Sequence, residues 1–155
     1  MSEDKANTHL RTLSTEQAMG QCSALVGRLR LAASEGYSEE VEHVSKMLSD
    51  HMTATRLPCD FLRETLAEAR HLHMQAAMKA TEIALDRAYV LGKSKQTLEH
   101  AREMARARNC LGKAALLGAP REFRQGCESR IGTIVLAGGR PMAKRADVPG
   151  QRATA

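Results

Sequence analysis

The chain contains no tryptophan and only two phenylalanines, two tyrosines and four prolines among its 155 residues. With aromatics at 3% and hydrophobic residues at 43%, the interior has to be filled by alanine, leucine and methionine. These are strong helix formers, so close-packed helices are favoured over sheets. The same shortage leaves few rings to stack on nucleic-acid bases. No two of the four cysteines, Cys22, Cys59, Cys110 and Cys127, stand at Cys-x-x-Cys spacing. Cys22 and Cys127 fall on apolar helical stripes and read as small core residues of a reducing compartment. The start, MSEDKANTHLR, is too polar for a secretory signal, and the longest late apolar run, Thr133 to Ala137, is too short to cross a bilayer. A cytoplasmic protein without membrane insertion is expected.

Catalytic signatures are missing as well. There is no Gly-rich phosphate loop, no Gly-x-Ser-x-Gly, no His-Glu-x-x-His, and no cysteine and histidine spaced as a nucleophile with its base. The expectation is a protein that is not an enzyme and holds no cofactor.

What the sequence does contain is helical periodicity. Its length suits one domain, able to bury roughly two-thirds of the unfolded surface. Ser14, with Gln17 at capping-box spacing, opens a first helix in which Ala18, Cys22, Leu25, Leu29 and Ala32 recur at three- and four-residue steps until Gly36. Ser38 starts a second, with Val41, Val44, Leu48, Met52 and Thr55 as its buried line, ended by Leu57-Pro58. A third helix, opened by Pro58 or Asp60, runs to Leu91; at 1.5 Å per residue it measures about 50 Å. Gly92 makes the next break, and a fourth helix continues to about Leu117. Phe123, Cys127, Ile131 and Ile134 keep helical spacing for a shorter fifth, although β-branched residues at Ile131 to Leu136 also suit a strand. The predicted fold is an all-α, antiparallel helical bundle of four main helices plus a short fifth, over residues 14–137. A flexible lead occupies residues 1–13. Residues 138–155, rich in Gly, Pro, Arg and Ala, form a disordered basic tail.

Charge is divided unevenly. Residues 1–92 carry a net −3 and residues 93–155 a net +8, so the second half suits an acidic protein, nucleic acid or an anionic surface. Two Glu-x-x-His pairs, Glu40 with His43 and Glu68 with His71, have the spacing of di-iron bundle ligands. At about 100° per residue both pairs fall opposite their helices' apolar arcs, so no metal site is expected there. His73 instead lies on the third helix's apolar arc, Arg87 shares it, and Arg108 interrupts a fourth-helix face made of Leu98, Ala101, Met104, Ala105, Leu111 and Ala115. A buried polar group without a partner costs about 1 to 3 kcal/mol, and a buried charge more. Either the arginine stems reach the edge and His73 bonds a neighbour, or His73, Arg87 and Arg108 line a groove for an acidic, apolar-faced helix or a second copy of the chain.

Arg102, Arg106 and Lys113 form a ridge on the fourth helix that is the candidate phosphate-binding surface, with Glu99 and Glu103 close by. The function expected is that of a small helical interaction protein, an adaptor, chaperone-like binder or regulatory subunit, holding a partner helix or itself. The alternatives are a nucleic-acid-associated protein using the ridge and tail, and a ligand- or metal-sensing bundle centred on His73.

Overall fold

The structure is a computed structural model that describes residues 13–137. Those residues form five helices packed together, α1 (Thr15–Glu35), α2 (Ser38–Ala54), α3 (Cys59–Lys93), α4 (Thr97–Leu116) and α5 (Arg121–Ala137), with no strand among them. The segment from Ile131 is helical, and α5, at 17 residues, is as long as α2. The expected lead over residues 1–12 and the expected tail over 138–155 lie outside the described residues.

Local chemistry accounts for where the helices begin and end. The Ser14 hydroxyl accepts from the Gln17 amide at 3.2 Å, while the Gln17 side-chain oxygen accepts from the Ser14 amide at 3.1 Å, which closes the capping box. α1 stops at Gly36, whose φ of 73° lies in the left-handed region. The Tyr37 amide then reaches back to the Ala32 carbonyl at 3.0 Å, satisfying one of the helix's orphan acceptors. Gly118, at φ 93°, ends α4 in the same way, with Ala119 bonded to Ala114. α2 stops at Ala54, before Pro58, where both the amide and the hydroxyl of Thr55 bond to the His51 carbonyl.

The end of α3 departs from expectation. Gly92 lies inside the helix, and the left-handed stop falls on Lys95, at φ 59°. Gly92 instead admits a neighbour, since a Cβ there would stand 3.2 Å from the His100 ring. That ring sits close enough for Nδ1 to reach the Ala88 carbonyl at 2.7 Å. The small residue therefore serves the approach of α4 to α3, not the turn.

α3 is the common element, touching each of the other four helices. Two main clusters share it. Cys22, Val26, Leu29, Val41, Val44 and Leu48 of α1 and α2 pack on its first half, around Leu72 and Ala76. Met104, Ala107, Leu111, Cys127 and Ile134 of α4 and α5 pack on its second half, around Ala84, Leu85 and Ala88. A small alanine contact, Ala77 with Ala114 and Ala119, lies between them. α1 and α2 thus leave the end of α3 uncovered, and α4 and α5 leave its beginning uncovered. That offset leaves Leu66 exposed, 56% accessible.

Candidate interaction surface

The six residues singled out by sequence do not converge. His73, on α3, is partly buried, and the charges bearing on it come from Glu42 of α2 and Lys113 of α4. Burial pushes its imidazole below the ordinary value, Glu42 draws it up, and Lys113 pushes it further down. Arg87 and Arg108 are exposed, so neither is a buried charge in need of a partner, and neither counts among the charges acting on His73. On the ridge, Arg102 and Arg106 are exposed, whereas Lys113 is half-covered and ion-paired with Glu42. Arg106 lines an open recess of about 420 Å³ with Tyr37, Glu39 and Glu40 at the start of α2. Of the three ridge cations, Lys113 is thus already paired with a carboxylate of this chain, and Arg106 shares a recess with Glu39 and Glu40.

The Glu-x-x-His pairs point away from the core. Glu40 is paired with Arg28 and Glu68 with Arg30, while His43 and His71 are exposed. Among the described residues no three His, Cys, Asp or Glu side chains are grouped so as to hold a metal ion. Cys22, Cys110 and Cys127 are buried, and burial raises all three thiols above their ordinary value; only the protonated, unreactive form is favoured there.

Sequence reasoning passed over His51. It is almost fully buried on α2, its Nε2 3.2 Å from the Ala18 carbonyl of α1. The signal was available, since His51 follows Leu48 by three residues on the buried line. The bond ties the first turn of α1 to the last turn of α2, a structural task.

The largest departure concerns α4. Its buried residues are Met104, Ala107, Cys110, Leu111 and Ala114. Leu98, Ala101 and Ala105, expected with Met104 on one inward face, are exposed, with Leu98 59% accessible. Asn109, Gly112 and Leu116 are exposed too, Leu116 at 84%. At about 100° per residue, Leu98, Ala101, Ala105, Asn109, Gly112 and Leu116 fall within about 40° of one direction, opposite the buried side. α4 thus carries an inner face, which includes the half-buried Glu103, and an uncharged outer one. The inner one meets α3 and α5; the outer one meets nothing among the described residues, and a Cβ added at Gly112 would find open space. Arg102, Arg106 and Lys113 border this outer face along one edge, and Arg108 along the other.

A second recess, of about 460 Å³, opens between α3 and α5 beside Tyr89 and Ile134, and is crossed by the Asp86–Arg130 ion pair. No helix of the described residues is long and apolar enough to cross a membrane. Comparison with protein-family models, with curated protein sequences and with solved structures gives no significant match.

Proposed function

We propose that this chain is a small, non-catalytic helical interaction protein of the cytoplasm, an adaptor, chaperone-like binder or regulatory subunit, whose antiparallel bundle presents an outer helix face to a partner. The observation that carries this reading is the outer side of α4, where Leu98 and Leu116 stand in solvent at the two ends of an uncharged stripe. Large apolar residues aligned along one helix face are the usual means by which a helix is recognised in a groove or pairs with another. The groove first read from His73, Arg87 and Arg108 is replaced by this face, to which only Arg108 belongs.

A nucleic-acid role is the second reading, favoured by the net +8 of residues 93–155 and by exposed Arg102 and Arg106. Size-exclusion chromatography with light scattering, at two salt concentrations and with and without duplex DNA, separates the two. Association that persists at high salt and ignores DNA supports apolar helix contact. A monomer that shifts only with DNA at low salt overturns that reading, because phosphate contacts weaken steeply with salt.

A further inference from the structure

We infer that the outer face of α4 takes an acidic amphipathic helix, with an apolar seam lying on Leu98–Leu116 and carboxylates along both edges. This inference rests on the interaction-protein reading and adds the chemistry of the partner.

The face has the dimensions of a helix-sized seat. From Leu98 to Leu116 it runs five turns, about 27 Å at 1.5 Å per residue. Between the terminal leucines the side chains shrink to Ala101, Ala105 and Gly112, with Asn109 the one polar group, and all are exposed. Small residues at a helix surface let a second backbone approach closely, and large ones at the ends supply buried area where the two helices diverge.

The charge around it selects the partner. Each border carries an arginine, Arg102 on one side and Arg108 on the other, that holds no ion pair among the described residues. The two are six residues apart, about 9 Å along the axis. Carboxylates flanking an apolar seam meet both, as oppositely charged edge residues do in paired helices. α4's own carboxylates, Glu99 and Glu103, are set further round toward the body of the molecule and do not interrupt the stripe.

Two other occupants fit less well. In a second copy, α4 against α4 would bring arginine borders together, and like charges across an interface are repulsive. Nor does α2 supply the acidic seam, because its exposed residues mix Glu39 and Asp50 with His43 and Lys46. Nucleic acid has use for the cations but none for the uncharged stripe between them, and neither Tyr nor Phe lies on α4 to stack on a base. Lys113, moreover, is already engaged by Glu42.

The test uses the full chain and two synthetic helical peptides of about twenty residues. Both share a Leu/Ala seam; one is flanked by glutamates and the other by lysines. Fluorescence anisotropy should show the glutamate peptide binding about tenfold or more tighter than its lysine counterpart, with the difference shrinking as salt rises. In the Arg102→Glu/Arg108→Glu variant the preference should reverse. In Ala105→Gln/Gly112→Gln, which blocks close approach, affinity should fall about tenfold while the thermal midpoint does not fall, since glutamine is the better helix former than glycine. Equal affinity for the two peptides, or unchanged binding in both variants, overturns the inference. So does duplex DNA that displaces the glutamate peptide and itself loses affinity in the charge-reversal variant. Binding of the lysine peptide alone, or self-association by light scattering, removes the acidic partner but leaves the interaction reading standing. A chain that binds neither peptide and stays monomeric removes both.

Discussion

Lys95 adopts the left-handed conformation that ends α3, a geometry costing a residue with a Cβ about 1 to 2 kcal/mol. Lys95→Gly is therefore expected to stabilise the fold by about 1 kcal/mol, less the entropy of a freer unfolded chain; denaturant titration reads this as a raised midpoint at unchanged slope. His73 supplies a pH dependence of definite sign. Its folded imidazole binds a proton less readily than the unfolded one, so its contribution is present above the ordinary value of 6.5 and is lost as pH falls through the depressed value. Replacement by glutamine should flatten stability against pH in that window. In Glu42→Gln the upward pull on His73 disappears, so its NMR titration midpoint should move down; a midpoint that rises or stays fixed would contradict the assigned surroundings. The lost pair with Lys113 should itself cost less than about 1 kcal/mol, because both side chains are more than 40% exposed.

How legible each helix was depended on whether its signals were local. Ser14 and Gln17, or Gly36, act within a few residues of themselves, so the limits of α1 could be read directly. The stop at Lys95 could not, since nothing marks a lysine for φ 59°, and Gly92 next to it offered a false signal whose real purpose involves His100. α4 was misread for a different reason. Apolar residues occupy both its sides, and a period of 3.6 says that a face exists without saying which of two faces a neighbour will cover. Once α3 has taken Met104, Ala107 and Leu111, Leu98 and Ala105 are necessarily outside. The candidate groove joined His73, Arg87 and Arg108 on spacing alone, whereas Arg87 and Arg108 are exposed and are not among the charges acting on His73. α1 provides a check on the role of surface glycine: Gly20 and Gly27 are exposed helix-interior residues with nothing within 4 Å of an added Cβ. Changing both to alanine should raise the thermal midpoint by several degrees, each being worth up to about 1 kcal/mol in helix propensity. A fall would show that α1 meets something beyond the described residues.

As a whole, the molecule is two helix clusters strung on one rod of 35 residues. The packing is alanine-rich and joined at the middle by Ala77, Ala114 and Ala119, with the Glu42–Lys113 pair spanning α2 and α4. A shared helix couples the clusters, since neither can lose α3 alone. Leu48→Ala in the first cluster and Leu85→Ala in the second, both fully buried, should each cost about 2 to 5 kcal/mol. Hydrogen exchange should show protection falling across all five helices in either variant; protection lost in one half only would mean that the rod does not transmit the damage. The same offset that divides the interior leaves α4 with a bare outer side, on which the proposed recognition of a partner rests. Its most direct test is chemical-shift mapping of the labelled chain titrated with the glutamate-flanked peptide. Perturbations concentrated on the amides of Leu98, Ala101, Ala105, Asn109, Gly112 and Leu116 are predicted. Perturbations centred on α1, on the α3–α5 recess, or spread without pattern would contradict it.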